Sequence, residues 1–163
     1  MQTIFEDASL LVVHKPAGVA VVLGRGEHAE SSLRDQLEAE RGERLWVVHR
    51  LDAPVSGVLL FCRTADAHRA LSIAFEKRQV SKTYQATVWG QPVFDEVTVK
   101  RPIGPGRKGG MRLSGARAEP AETHFRSLGP HPEVEKAWRI EARPVTGRRH
   151  QIRLHLASLG HPI

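Results

Sequence analysis

The segment Leu45–Phe61, which reads LWVVHRLDAPVSGVLLF, sets three charged or titratable side chains between two strongly apolar runs. The apolar runs have the composition of buried strands, and the proline and glycine between them predict a turn. Two buried strands would fix the position of a loop carboxylate such as Asp52, which favours a catalytic role. The segment by itself also fits an aspartate that caps the turn and pairs with Arg50 or His49.

Strand signals recur along the rest of the chain, and helix signals are fewer. Eight stretches have the composition of strands: Leu10–His14, Val19–Leu23, Leu45–Val48, Val58–Arg63, Lys82–Trp89, Val97–Lys100, Glu122–Leu128 and Ala137–Ala142. Three stretches have apolar residues at helical spacing. The first runs from Ser32 to Gly42, and Asp35 completes a capping box with Ser32. The second is Ala65–Lys77 after the N-cap Thr64, and the third runs from Arg148 to Gly160. Many strands and separated helices, without regular alternation, favour an α+β fold.

Size and charge give the first constraints on function. A chain of 163 residues fits one compact domain, covering 1–163. Its 24 Lys and Arg residues exceed its 18 Asp and Glu residues, which gives a net charge of +6. Such a surface attracts polyanions, and RNA, DNA and acidic membranes all qualify, although many proteins are mildly basic without such a partner.

The single cysteine and the short apolar runs exclude several classes. Cys62 lies in an apolar run and is predicted to fill the core, which suits a reducing compartment. No Cys/His cluster has zinc spacing, and no apolar run approaches the roughly 20 residues that span a bilayer. The stretch Met1–Glu6 lacks the basic start of a secretory signal. We therefore expect a cytoplasmic protein that binds neither metal nor membrane.

The stretch 101–121 differs in kind from the rest. It holds five glycines, three prolines and five basic residues, with almost no apolar periodicity. This composition predicts a mobile, positively charged loop. A solvated insertion and a flap that contacts RNA, through Arg107 and Lys108, both fit the pattern.

Three arginines crowd the first two turns of the third predicted helix. Arg148, Arg149 and Arg153 lie where the helix dipole disfavours positive charge by ~0.3 to 1 kcal/mol each. Because all three arginines go against this preference of the helix dipole, their charges suggest a functional role. Guanidinium groups there could bind phosphate or pair with a buried carboxylate.

Taken together, these segments resemble one family. The motifs stand in its order along nearly the whole chain: His14–Gly18 (HKPAG), His49–Gly57 (HRLDAPVSG), Lys82–Tyr84 (KTY), and Thr146–His155 (TGRRHQIRLH) followed by Leu159–Ile163 (LGHPI). They are similar to the RluA-type pseudouridine synthases. The resemblance implies a single catalytic domain with a mixed, largely antiparallel sheet flanked by helices and loops. It also implies isomerisation of uridine in rRNA or tRNA without cofactor or metal.

The resemblance assigns roles to individual residues. Asp52 matches the catalytic aspartate, Tyr84 the tyrosine beside the target base, and Arg153 the arginine that pairs with the aspartate. Arg50 matches the loop arginine that helps fill the place of the flipped nucleotide. We expect further RNA contacts from six residues: His49, Lys82, Arg107, Lys108, Arg148 and Arg149. Without the family match, a cross-strand aromatic would be the preferred interpretation of Tyr84.

The chain departs from the family pattern at two places. Val55 stands where a threonine is usual, so one hydroxyl of the loop is missing. In relatives a further stretch follows the residues that match Ile163, so we expect the domain to lack its C-terminal end. No RNA-binding domain of the S4 type is expected ahead of the catalytic part.

Two other functions deserve comparison. A non-catalytic RNA-binding module of the same fold would not need Asp52, Tyr84 and Arg153 together, so the presence of all three argues against this function. The sequence His-Arg-Leu-Asp also suggests a phosphotransferase, but the chain lacks the glycine-rich loop and the Asp-Phe-Gly motif of that class. Gly24–His28 is too weak to count as a phosphate loop. We expect a monomeric enzyme.

Overall fold

The computed structural model describes residues 2–24 and 31–163, and their contacts divide into two compact units, Met1–Gln79 and Val80–Ile163. Both units contain antiparallel sheet and helix, which confirms the α+β class. Every strand pair in the described residues is antiparallel, and the strands form two four-stranded sheets and one hairpin. The stretch Gly24–His28, which is too weak a motif to count as a phosphate loop, lies mostly outside the described residues.

The first unit is a four-stranded sheet with two helices. Its elements are β1 (Thr3–Glu6), β2 (Leu10–Lys15), α1 (Leu33–Arg41), β3 (Trp46–Val47), β4 (Gly57–Cys62) and α2 (Ala65–Glu76), with the sheet order β1-β2-β4-β3. Alternate residues of β2 and β4 are buried, including Leu11, Val13, Leu59 and Phe61. Cys62 is also buried and burial raises the pKa of its thiol, so its predicted place in the core is confirmed.

The second unit is a four-stranded sheet with one helix and a hairpin. Its elements are β5 (Tyr84–Trp89), β6 (Glu96–Lys100), β7 (Ile103–Pro105), β8 (Met111–Leu113), β9 (Glu122–Pro130), β10 (Ala137–Pro144) and α3 (Gln151–Ser158). The sheet order is β5-β10-β9-β6, and β7 pairs with β8. The core of the unit contains Val88, Phe125, Ile140 and Leu156.

Local sequence signals placed the first two helices well. Ser32 and Asp35 form the predicted capping box, and Gly42 ends α1 with a φ of 67°. The side chain of Thr64 accepts a hydrogen bond from Ala67 N at the start of α2. These caps use residues within four positions of each other, so no tertiary contact is needed to specify them.

The strand predicted over Val19–Leu23 is wrong. The carbonyls of Ala20 and Val21 accept hydrogen bonds from the first backbone N–H groups of α1, on Leu33 and Arg34. The first turn of a helix always has N–H groups without intrahelical partners, and this stretch satisfies two of them. The backbone of the stretch is therefore not paired with a strand.

Two further predictions need correction. The stretch 101–121 is not irregular throughout, because it contains the hairpin β7–β8, and Ile103 is 1% exposed. Helix α3 begins at Gln151, so Arg148 and Arg149 precede it rather than occupy its first turn. Of the three arginines, only Arg153 lies within the helix, so the prediction that all three occupy its first two turns is wrong. The mobility of the stretch 101–121 stays a prediction.

Candidate active-site and RNA-binding residues

Asp52 lies on the loop that joins β3 to β4, as the sequence predicted. His49 anchors the beginning of this loop: its Nε2 accepts a hydrogen bond from Leu60 N at 3.1 Å, and its ring stacks on Phe75 with a centroid separation of 5.2 Å. Because Nε2 accepts here, it carries no proton, and the ring is held at two points. This geometry supports a role in fixing the loop, while the predicted RNA contact of His49 stays a prediction.

Lys15 anchors the other side of the loop. Its side chain is fully buried at the end of β2, where the sheet register pairs it with Gly57. The ammonium donates hydrogen bonds to three carbonyls, Pro16 O at 2.9 Å, Val19 O at 2.7 Å and Ala53 O at 3.1 Å. Gly18 N also donates to Ala53 O, at 2.8 Å. The residue directly after Asp52 is therefore held by two donors from the HKPAG motif.

The charge of Lys15 is set by two opposed effects. Burial lowers the pKa of its ammonium, while the negative charge of Asp52 raises it. An ammonium that loses its water of hydration needs strong acceptors, and the three carbonyls supply them. Sequence reasoning did not identify Lys15 as a site residue, although a signal existed. It occupies the apolar face of β2, in phase with Leu11 and Val13.

Asp52 itself is partly exposed, and the loop around it is closed by a turn. Val55 N donates to Asp52 O at 2.9 Å, so the backbone bends at Ala53 and Pro54 as the proline predicted. Arg50 is exposed on the same loop. The fixed backbone on both sides of Asp52 suits a catalytic carboxylate, and the catalytic role of Asp52 stays a prediction.

Tyr84 begins β5 in the second unit. It lies opposite Ala142 of β10, and its ring packs against the core cluster that includes Phe125 and Ile140. This packing fixes the ring from one side. The interpretation as a cross-strand aromatic is compatible with the same geometry, so the catalytic role of Tyr84 stays a prediction.

Several predicted RNA-binding residues of the second unit are close together. Arg148 and Arg149 lie in the turn before α3, and a Cβ built on Gly147 would lie 3.5 Å from Lys82 Nζ. Lys82 is therefore adjacent to this turn. Burial lowers the pKa of its ammonium.

The same turn contacts the β7–β8 hairpin and the chain beyond it. Arg149 Nη1 donates to Gly109 O at 3.3 Å, Arg148 Nε donates to Pro120 O at 3.3 Å, and Arg148 forms an ion pair with Glu119. Arg107 is exposed on the single 3₁₀ turn Arg107–Gly109 at the tip of the hairpin. The structure thus groups Lys82, Arg148 and Arg149 with the hairpin that carries Arg107 and Lys108. We call this group the basic cluster.

Arg153 lies in the first turn of α3 and is exposed. The neighbouring Ile152 packs against the core of the second unit, and Gln151 and His155 are buried. The helix is therefore anchored on the side away from Arg153. Its pairing with Asp52, which the resemblance implies, stays a prediction.

Comparison with known proteins identifies the family. The sequence profile described as RNA pseudouridylate synthase matches residues 9–158, which include every motif from HRLDAPVSG to TGRRHQIRLH. The chain belongs to this family. Family membership accounts for the order of the four motifs and for the α+β fold.

Individual relatives agree with this assignment. The chain is 35% identical over 168 residues to the dual-specificity RNA pseudouridine synthase RluA of Escherichia coli K12, covering 98% of this chain and 73% of the relative. It is 36% identical over 165 residues to the ribosomal large subunit pseudouridine synthase C of Vibrio cholerae, covering 98% of this chain and 50% of the relative.

The fold is also shared with solved structures. Human RNA Pseudouridylate Synthase Domain Containing 1 superposes with a TM-score of 0.83 at 26% identity, over 98% of this chain and 65% of that protein. The chain spans about two thirds of the length of that protein and of the relative RluA from Vibrio vulnificus.

Two other features bear on the class of site. Among residues 2–24 and 31–163, no three His, Cys, Asp or Glu side chains are grouped so as to hold a metal ion. No helix in these same ranges has the length and apolar character needed to cross a bilayer.

Proposed function

We propose that the chain carries the catalytic machinery of an RNA pseudouridine synthase and isomerises uridine in rRNA or tRNA to pseudouridine. The observation that carries the proposal is the fixed backbone of the HRLD loop. Lys15 and Gly18 both donate hydrogen bonds to the carbonyl of Ala53, the residue directly after Asp52. Such preorganisation is what a reacting carboxylate requires. The names of relatives that act on the ribosomal large subunit and on tRNA support RNA as the substrate class.

The proposed chemistry uses Asp52 as the reacting group. The target uridine is stacked in folded RNA, so it must be flipped out at a cost of a few kcal/mol. The carboxylate then attacks the ribose C1′, or takes the C2′ proton to give a glycal. Either step breaks the bond from C1′ to N1 and releases the uracil, which turns so that C5 bonds to C1′. In the first route this new bond displaces the Asp52 carboxylate from C1′, and in the second route C2′ regains the proton that Asp52 had taken. C5 then loses its proton while N1 gains one, so the product is an isomer of uridine and no redox equivalent is consumed.

The other roles are distributed over the predicted residues. Tyr84 would support the flipped base and assist proton transfer, Arg153 would keep Asp52 ionised, and Arg50 would occupy the place of the flipped nucleotide. The basic cluster would contact phosphates, because guanidinium and ammonium groups form charge-assisted hydrogen bonds with them. We further propose a cytoplasmic protein, because its single buried cysteine suits a reducing compartment, and one that acts as a monomer.

The test is tritium release from RNA labelled at uridine C5. Asp52→Asn keeps the size of the side chain and removes its charge, so turnover should fall by about 10²-fold or more while RNA still binds. Asp66→Asn is the matched control, because Asp66 is exposed on α2 of the same unit. Tritium release at the wild-type rate by Asp52→Asn, with deamidation excluded by mass spectrometry, would contradict the proposal. So would RNA binding without any tritium release by the wild type.

A further inference from the structure

A buried polar network lies in the second unit, beneath the turn that precedes α3. Its four side chains are Thr123 and His155, both 0% exposed, Gln151, 4% exposed, and Thr146, 7% exposed. We call it the Gln151 network. Buried polar groups destabilise a protein unless they are hydrogen-bonded, so each member requires partners.

Gln151 lies at the centre and uses all of its hydrogen-bonding capacity. Its Nε2 donates to Glu122 O at 2.9 Å and to Thr123 Oγ1 at 3.0 Å. Its Oε1 accepts from Thr146 Oγ1 at 2.7 Å and from Arg148 N at 2.9 Å. An amide has two donors and two acceptor lone pairs on its oxygen, and all four are engaged.

His155 extends the network to the segment before the hairpin. Its Nε2 lies 2.9 Å from Arg101 O, and its Nδ1 lies 2.9 Å from Thr123 Oγ1. A carbonyl can only accept, so Nε2 carries the proton of the neutral ring and Nδ1 accepts from the Thr123 hydroxyl. That hydroxyl in turn accepts a hydrogen bond from Gln151, so one consistent assignment of donors and acceptors satisfies all four side chains of the network.

The backbone groups held by this network border the basic cluster. Arg148 N belongs to the turn that carries Arg148 and Arg149, and Arg101 O directly precedes the hairpin that carries Arg107. Thr146 also accepts a hydrogen bond from Glu122 N at 3.0 Å, which connects the same turn to the start of β9. The network therefore joins the turn and the base of the hairpin through the buried interior.

We propose that Gln151 and His155 are positioning residues for RNA binding. The Gln151 network holds the turn at 147–150 and the base of the hairpin in the arrangement that presents the basic cluster to phosphates. Neither side chain touches RNA, and both act through Arg148 and the hairpin. The inference rests on the proposed function, because it assigns the basic cluster to RNA.

The test measures RNA affinity as a function of salt, with Gln151→Met as the first variant. Methionine matches the length of glutamine but supplies neither donor nor acceptor of comparable strength. The slope of log K against log salt is negative, and we expect its magnitude to decrease by ~0.7 to 0.9 for each phosphate that the protein no longer neutralises. KM should rise by a larger factor than kcat falls. Gln91→Met, at an exposed position outside the strands of the same unit, is the matched control and should keep the wild-type slope.

A second pair of variants separates positioning from folding. Thr146→Val removes the hydroxyl that donates to Gln151, whereas Thr146→Ser keeps it. Measured well below the melting temperature of each protein, Thr146→Val should lower the slope and Thr146→Ser should restore it. This pair decides the question if Gln151→Met does not fold.

The outcomes distinguish the two proposals. A folded Gln151→Met or Thr146→Val protein with the wild-type slope and affinity would show that the network only supports the core. A wild-type protein that releases tritium but whose RNA affinity does not depend on salt would overturn the inference and leave the proposed function in place, whereas a wild type that releases no tritium would overturn the proposed function. A reduced slope in Thr146→Val, with wild-type values in Thr146→Ser and Gln91→Met, would support the positioning role.

Discussion

At the scale of single residues, Lys15 combines a strand position with a polar function. The sequence places it on the buried face of β2, where an apolar side chain is the usual occupant, and the structure gives its ammonium three carbonyl acceptors. A lysine is long enough to reach the carbonyls of two separate loops from this position. Its cost of desolvation is offset by those hydrogen bonds.

The variant Lys15→Met should therefore affect both stability and turnover. Pro16 O and Val19 O lose the hydrogen bond from the lysine, and Ala53 O keeps only the one from Gly18 N, so we expect the free energy of unfolding to fall by about 1 to 3 kcal/mol. Because Ala53 follows Asp52 directly, kcat should fall while RNA affinity changes little. Chemical denaturation and tritium release would measure the two effects, with Lys77→Met on the exposed end of α2 as control. Wild-type kcat in Lys15→Met would show that the loop does not depend on this lysine.

His155 should make stability depend on pH. Burial lowers the pKa of its imidazole below the ordinary 6.5; the charge of Arg101 also lowers it, whereas the hydrogen bond to the Arg101 carbonyl raises it. The unfolded chain therefore binds a proton more readily than the folded chain, so the free energy of unfolding falls as the pH drops below about 6.5. His155→Gln should lose part of this dependence at and below about pH 6.5, whereas the control Gln91→Met should keep it. Denaturation curves with equal pH dependence in wild type and His155→Gln would refute this expectation.

At the scale of elements, the β7–β8 hairpin shows how a glycine-rich segment becomes structured. Gly104 is buried, and a Cβ at this position would lie 2.8 Å from the Cα of Ala118 and 2.9 Å from its nitrogen. Ile103 N donates to Glu119 O, and Glu119 N donates to Ile103 O. The glycine thus allows the hairpin and the segment before β9 to approach each other closely enough to pair.

Gly104→Ala should disturb this pairing. The new methyl group meets backbone atoms, which cannot move as a flexible side chain can, so we expect a loss of about 1 to 3 kcal/mol in unfolding free energy. Hydrogen exchange should show faster exchange at Ile103 and Glu119. Gly42→Ala, at a helix end with open space, provides a comparison in which strain comes from the positive φ alone. Unchanged exchange at both amides would mean that the chain accommodates the methyl group.

At the scale of the whole molecule, part of the excess positive charge, +6 in total, is concentrated in one place. Lys82, Arg148 and Arg149 lie near one another and near the hairpin with Arg107, whereas composition alone would allow the basic residues to be dispersed. Clustered cations release condensed counterions when they contact phosphates. The charge excess is therefore expected to influence affinity through this cluster.

Replacing Arg107 and Lys108 by glutamine should test this expectation directly. The slope of log K for RNA against log salt should decrease by ~0.7 to 0.9 for each phosphate left without its cation, with little change in kcat. Arg69→Gln on α2 with Lys77→Gln directly after it, both at exposed positions, removes the same charge elsewhere and should change the slope less. An equal change in both double variants would assign the effect to net charge rather than to the hairpin.

The sequence by itself determined the features that depend on neighbouring residues. The caps of α1 and α2, the core strands and the turn after Asp52 follow from local periodicity and from proline and glycine chemistry. The motifs also indicated the family, which the comparison with known proteins confirmed. The part played by each site residue in catalysis stays a prediction, because it depends on substrate.

Tertiary structure alone decided the features that depend on distant partners. The stretch Val19–Leu23 has the composition of a strand, but its carbonyls bind the start of α1. The glycine-rich stretch 101–121 forms the hairpin β7–β8, whose Ile103 also pairs with Glu119. The roles of Lys15 and Gln151 likewise emerge from acceptors and donors up to 38 positions away. Hydrogen bonds between remote segments have no periodicity in the sequence, so only the folded chain reveals which buried polar groups they satisfy.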